Sequence, residues 1–205
     1  MSQLIDPRLF GEVFVTLTVI MDPLGTVPLF LGLTRGRSSK ERARLAWQAV
    51  AVAGFVIGLF ALFGQAILDY LGITVPALQG AGGLLLSIVA LELLTDRQDE
   101  PTERPDVNIA LVPLGTPLLA GPGAIVATIV FVRRIDNGPD AVALVAGVLA
   151  VLVVLWLSLR FSAGVIRLIR ESGVQLVTRI FGLLLSAIAV QLIAEAVRGF
   201  IRQGL

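Results

Sequence analysis

Cysteine and histidine are both absent from this 205-residue chain. Without thiols there is no disulfide framework and no thiol nucleophile. Without imidazole there is no His-ligated metal site and no serine hydrolase that relies on histidine. Charge is scarce as well: 15% of residues are charged and the net charge is +1, so there is no basic footprint for nucleic acid. The pattern Gly-x-x-x-x-Gly-Lys-Ser/Thr does not occur, which removes a P-loop for ATP. A paired-aspartate mechanism needs two aspartates deep in apolar sequence, and only Asp22 is so placed. The inventory therefore argues against an enzyme, and it offers no metal or cofactor pattern.

What the chain does have is apolar surface, with 56% of residues hydrophobic. Soluble domains run under half apolar and about a quarter charged. A single interior of this size cannot absorb the surplus, so lipid is the expected solvent. Six charge-poor runs, over 10–33, 46–71, 77–95, 108–132, 139–160 and 176–197, each approach the ~20 residues that cross ~30 Å of hydrocarbon. The expected fold is an all-α polytopic membrane protein with six transmembrane helices. Met1 to Asp6 lack the basic region and cleavage site of a signal peptide, so the first span is expected to target the chain.

Lys and Arg at the connections set the expected orientation. Alternate connections hold Arg35, Arg37, Lys40, Arg42, Arg44, Arg97, Arg104, Arg160, Arg167, Arg170 and Arg179, eleven of sixteen basic residues. The opposite side holds Arg8, Arg133, Arg134, Arg198 and Arg202. Both termini are thus expected outside. Around 161–173 isoleucines and leucines alternate with Arg167 and Arg170, a pattern suited to lying along the inner surface.

The chain also repeats itself. Pro23-Leu24-Gly25-Thr26 recurs as Pro113-Leu114-Gly115-Thr116, and Gly83 to Ser87 recurs as Gly182 to Ser186. Each half, 1–105 and 106–205, holds three expected spans. Because three is odd, the second half enters the membrane from the other side, giving two inverted three-helix repeats within one membrane domain. Inverted repeats are common in secondary transporters.

The repeated motifs carry helix-breaking chemistry. Span 1 contains Asp22-Pro23-Leu24-Gly25-Thr26-Val27-Pro28, and span 4 contains Pro113 to Pro117 followed by Gly121-Pro122-Gly123. Proline removes an amide donor and clashes with the preceding turn, and glycine weakens a helix. Spans 1 and 4 are therefore expected to break at the midplane. Freed backbone groups at that depth are tolerated only inside protein or along a polar cavity, so paired breaks point to a binding site. A helix N-terminus there would attract a carboxylate, and freed carbonyls an ammonium group or metal cation. The candidate substrate-binding residues are Asp22, Pro23, Gly25, Thr26, Thr116, Gly121 and Gly123. Asp22 is open to two readings: contact with substrate or cation, or an N-cap with Pro23 at the first helical position. Glu92 and Gln191, facing positions in the repeated 82–94 and 181–193 segments, are candidates for coupling or gating alongside Asp22. Glu92 could equally reach the interface, and Gln79 and Gln191 could serve as polar glue between helices. Glycines 54, 58, 83 and 182 read as close helix contacts.

These motifs resemble the MarC family, which includes proteins described as small neutral amino acid transporters. The likeness rests on Met21 to Phe30 and Pro113 to Ile125, with the six-span layout extending it over nearly the whole chain. Asp22, Pro23, Gly25 and Pro28 match the family's usual Asp-Pro-Ile-Gly-Asn-Ile-Pro, while Thr26 replaces its Asn; Gly115-Thr116 stand where Ala and an aliphatic residue are more usual. The resemblance implies a protein of the bacterial or archaeal cytoplasmic (inner) membrane. It also implies carriage of alanine- or glycine-sized amino acids on an ion gradient, with H+ or Na+ as co-substrate. A channel lined by the same broken helices, and a scaffold without flux, are the rival readings.

Overall fold

The computed structural model describes residues 5–95 and 119–204, and among these all regular structure is α-helical. The helices are α1 (Pro7–Met21), α2 (Thr26–Leu33), α3 (Ser39–Leu71), α4 (Val75–Thr95), α5 (Pro122–Val132), α6 (Gly138–Arg160) and α7 (Ser162–Gln203). Their starts follow local chemistry. Asp6 caps α1 by accepting from the amides of Arg8 at 2.8 Å and Leu9 at 3.2 Å, with Pro7 at the first position. Ser38 and Glu41 form a reciprocal capping box on α3, and Gly72, at φ 67°, ends that helix. Removing the Ser38 hydroxyl (Ser38→Ala) is expected to cost about 1 kcal/mol. A lower unfolding midpoint in detergent would register it.

Four helices are long and apolar enough to cross a membrane: Ser39–Leu71, Val75–Thr95, Gly138–Arg160 and the Ser172–Gln203 part of α7. Pro7–Met21 and Thr26–Leu33, bent by 47°, make a fifth if taken as one broken span. Five of the six expected spans thus have helices under them. Of the sixth, expected over 108–132, only α5 falls among the described residues. The second Pro-Leu-Gly-Thr motif, with Thr116, lies outside them.

Large apolar side chains face outward along the long helices. Leu62 on α3 is 78% exposed, and Phe55, Leu84, Leu149 and Val190 are exposed on four helices. A soluble monomer does not present so continuous an apolar surface, whereas a lipid-facing one must. Inside, α1, α3, α5 and α6 enclose one core that includes Leu17, Phe30, Ile57, Phe131, Val151 and Leu155.

The tightest helix pair is α4 against α7, which run antiparallel. A methyl group at Gly83 would meet the Ala189 carbonyl at 2.8 Å and Ile193 Cγ1 at 2.7 Å. One at Gly182 would meet the Ala90 carbonyl at 3.3 Å and Leu94 Cγ at 3.1 Å. The two glycines, each in its own copy of Gly-Leu-Leu-Leu-Ser, therefore make reciprocal contacts. Of the other pair, Gly54 abuts Leu152 of α6 at 3.0 Å, while Gly58 has nothing within 4 Å and is not a packing glycine.

One end of the bundle is tied by ion pairs. Arg134, after α5, donates to Glu12 of α1 at 2.7 Å, and Arg133 reaches Asp69 of α3 at 3.7 Å. The opposite end carries the basic connection from Arg35 to Arg44, with Arg160, Arg167 and Arg170. There α7 breaks at Arg170 (φ 61°, ψ 163°), separating Ser162–Ile169 from the long apolar part. The 161–173 stretch, expected along the inner surface, contains this break.

Candidate functional site

The chain breaks where Asp22, Pro23 and Gly25 stand. Asp22 adopts a left-handed conformation (φ 36°, ψ 71°), one of the few that aspartate tolerates outside glycine. Its amide still donates to the Thr18 carbonyl at 3.1 Å, closing α1. Pro23 has no amide, so the Val19 carbonyl loses its normal ladder donor. The Asp22 carboxylate then reaches forward, and Oδ1 accepts from the Gly25 amide at 3.0 Å. Its carbonyl accepts from Thr26, also at 3.1 Å, and α2 begins there. The Thr26 hydroxyl is spent locally on the Pro23 carbonyl at 3.1 Å.

Asp22 is therefore not an N-cap to a helix starting at Pro23. It ends α1 and organises the turn into α2, with half its carboxylate so employed. The other half, Oδ2, is buried and faces the Thr178 hydroxyl of α7, the side-chain donor beside it. Thr18 Oγ1 on α1 is buried with no hydrogen-bond partner among the described residues. A methyl group built on Gly25 would collide with Asp22 Oδ2 and lie 2.7 Å from Thr178 Oγ1. Both oxygens thus converge on the glycine's open side. The cluster is closed: Asp22 is 5% exposed, Thr26 7% and Thr178 8%.

Depth follows from Glu12, which sits in the ion pairs at one end of the bundle. Ten residues separate it from Asp22, or about 15 Å of helix, half of the ~30 Å hydrocarbon core.

The start of α5 lies alongside. Gly121 is extended (φ −61°, ψ 167°) and precedes α5 without a side-chain cap. Its carbonyl accepts from Ala124 at 3.0 Å and Ile125 at 3.2 Å, while the Gly123 amide has no acceptor among the described residues. Gly123 is wedged between Leu86 of α4 and Ile20 of α1, whose Cγ2 would lie 3.4 Å from an added methyl. Ile20 is two residues before Asp22. The end of α1 and the start of α5 therefore meet, and they bring Asp22, Pro23, Gly25, Thr26, Gly121 and Gly123 into one region.

Two sequence candidates stand apart from it. Glu92 is exposed on α4. Gln191 donates to Glu195 Oε1 at 2.9 Å, and Gln79 donates to Glu195 Oε2 at 3.0 Å. Gln79 is polar glue between α4 and α7, with Glu195 as its acceptor, while Gln191 bonds Glu195 within α7. Thr178 is the residue that sequence reasoning missed. A lone threonine in an apolar span usually bonds its own helix, as Thr34 and Thr128 do here at 2.6 and 2.7 Å, so its residue type gave no signal.

The comparisons agree with this architecture. The UPF0056 membrane protein MJ1677 of Methanocaldococcus jannaschii is 36% identical over 201 residues, covering 95% of this chain and 98% of its own. A second relative from that organism, the UPF0056 membrane protein MJ0972, is 34% identical over 91% of this chain and 85% of its own. The UPF0056 inner membrane protein MarC of Salmonella typhimurium is 35% identical over 95% of this chain and 96% of its own. No solved structure matches. The profile described as MarC family integral membrane protein matches residues 8–201, nearly the whole chain. This chain belongs to the MarC family of integral membrane proteins.

Proposed function

We propose that the protein is a secondary transporter of small neutral amino acids in the cytoplasmic membrane, driven by an ion gradient. The observation that carries the reading is the pairing of opposite poles at mid-depth. The last turn of α1 offers carbonyls and a carboxylate, the negative pole of a helix, for an ammonium group or cation. The first turn of α5 offers the Gly123 amide, without an acceptor among the described residues, at a positive pole, for a carboxylate. A zwitterion one carbon long has both groups. The amides of Gly25 and Thr26 are bonded to Asp22. Of the backbone around Gly25, Thr26 and Gly121 to Gly123, the stretch at Gly121 to Gly123 would hold the carboxylate. Ile20, Leu86 and the buried Leu119 and Ala120 leave little room, which favours substrates of alanine size.

Two inverted three-helix halves rocking against each other would supply alternating access. The reciprocal Gly83 and Gly182 contacts support that symmetry, as does the packing of α2 on α7 and of α5 on α4. The basic end is the proposed cytoplasmic side. The burial of Asp22, Thr26 and Thr178 favours a carrier over an open pore.

Uptake of labelled alanine into proteoliposomes tests this. Saturable uptake is expected, falling at least about tenfold in Asp22→Asn, the loss expected when about 1.4 kcal/mol of charge stabilisation is removed. Equal uptake by the two proteins would remove Asp22 from the mechanism. No uptake of any small amino acid would remove the substrate class.

A further inference from the structure

At the end of the bundle opposite the basic connections, a cavity of about 460 Å3 opens between the ends of α3, α5 and α7 and the start of α4. Asp69, Gly72, Thr74, Arg133 and Gln203 line it. Its level follows from α3, whose 33 residues span about 50 Å, well beyond the ~30 Å of hydrocarbon. The last turn of α3, with Asp69, therefore stands among lipid headgroups. Tyr70, Leu71 and Ile73 are all exposed on that turn and the link to α4. Tyrosine is at home at the interface, and the two aliphatic side chains need acyl chains rather than water beside them. The polar wall holds one charge of each sign. Arg133 and Asp69 stand 3.7 Å apart, too far to hydrogen-bond, whereas the neighbouring Arg134 and Glu12 close to 2.7 Å. Each charge thus keeps bonding capacity for a third party. The guanidinium is a fork of N–H donors that matches a phosphate, and the carboxylate accepts on both oxygens. A ligand of one charge sign would be drawn by one wall and repelled by the other. A ligand with a phosphate and an ammonium satisfies both through charge-assisted hydrogen bonds.

We infer that this cavity is a headgroup site for a phospholipid bearing both a phosphate and a primary ammonium, the phosphatidylethanolamine type, with Arg133 on the phosphate and Asp69 on the ammonium. The acyl chains would run down beside Leu71 and Ile73. The site uses no residue around Asp22, so it stands independently of the carrier reading. Bound lipid would fasten the end of α3 to the end of α5, the helix whose first turn carries Gly123.

The test is thermal unfolding of the detergent-purified full chain with added phosphatidylethanolamine, phosphatidylcholine or phosphatidylglycerol of the same acyl chains. The first supplies both groups, the second has no N–H donor on its ammonium, and the third has no ammonium. A rise of about 4 °C with phosphatidylethanolamine over the other two is expected for a lipid near ten times its dissociation constant. Asp69→Asn and Arg133→Gln should each lose that difference. Glu12→Gln, which breaks the neighbouring ion pair outside the cavity, should keep it. Equal rises with the three lipids, or a phosphatidylethanolamine preference that survives in either cavity variant, would overturn the site. The full rise with glycerophosphoethanolamine, which has the headgroup and no acyl chains, would overturn the lipid assignment in favour of a soluble zwitterion. If a cavity variant fails to fold, the order of the three lipids on the wild type decides.

Discussion

Gly25→Ala is expected to leave the protein folded while strongly weakening the proposed transport. Gly25 has helical dihedrals (φ −66°, ψ −28°), so an alanine meets no backbone penalty there. The conflict is with side chains, since its methyl would overlap Asp22 Oδ2 and press on Thr178 Oγ1 at 2.7 Å. Asp22 cannot rotate away and keep its Oδ1 bond to the Gly25 amide. Moving it costs about 1–3 kcal/mol, as overpacking usually does. Asp22 Oδ2 is also displaced from the place where the two helices present it. A hydrogen bond to a charged group is worth ~1.5–3 kcal/mol, so binding at the site should weaken about ten- to a hundredfold. Gly32→Ala is the matched control on the same helix. Nothing lies within 4 Å of its added methyl, and the gain in helix propensity is about 0.5–1 kcal/mol. Proteoliposome uptake, read beside the unfolding midpoint, separates the two variants. Wild-type uptake by Gly25→Ala would show that the carboxylate's position is irrelevant.

Much of this architecture was legible because lipid imposes simple rules. Apolar runs of fixed length gave the spans, and α3, α4 and α6 fall where they were expected. Proline and glycine marked the break after Met21 because their effect on a helix is local. The detail of that break was not legible. Asp22 followed by Pro23 reads as an N-cap, but the choice between capping forward and closing α1 depends on whether the Asp22 amide keeps the Thr18 carbonyl. The structure closes α1 at Asp22 and sends its carboxylate forward to the Gly25 amide, through a left-handed residue that sequence alone does not announce. Thr178 was out of reach for a different reason. Its role depends on a contact with the other half of the chain, and its residue type is equally at home bonding its own helix. Glu195 accepts from Gln79 across the α4–α7 contact and from Gln191 within α7, and the first of these depends on a contact between the halves that sequence does not announce.

Gly83→Leu is expected to prevent assembly of the bundle, and the graded series behind it tests how the halves are joined. In a membrane the helices gain nothing from leaving water, so α4 and α7 are held by close packing and a few polar bonds. At Gly83 an added methyl would stand 2.8 Å from the Ala189 carbonyl and 3.2 Å from the Ile193 amide. Those are backbone atoms, so no rotamer change relieves the contact and the helices must separate. Gly83→Ala should therefore cost about 1–3 kcal/mol. At Gly182 the nearest atoms, Leu94 Cγ at 3.1 Å, Leu93 Cβ at 3.2 Å and the Ala90 carbonyl at 3.3 Å, all stand farther off than those facing Gly83 at 2.7–2.8 Å. Gly182→Ala should cost less, despite an identical local sequence. Gly58→Ala, with nothing within 4 Å, should be neutral or slightly stabilising. The order Gly83, Gly182, Gly58 in unfolding midpoint is the expected outcome. Equal losses at Gly83 and Gly58 would mean that helix propensity, and not the α4–α7 contact, governs these glycines. The clasp of Gln79 on Glu195 would then be the remaining candidate for the bond between the halves.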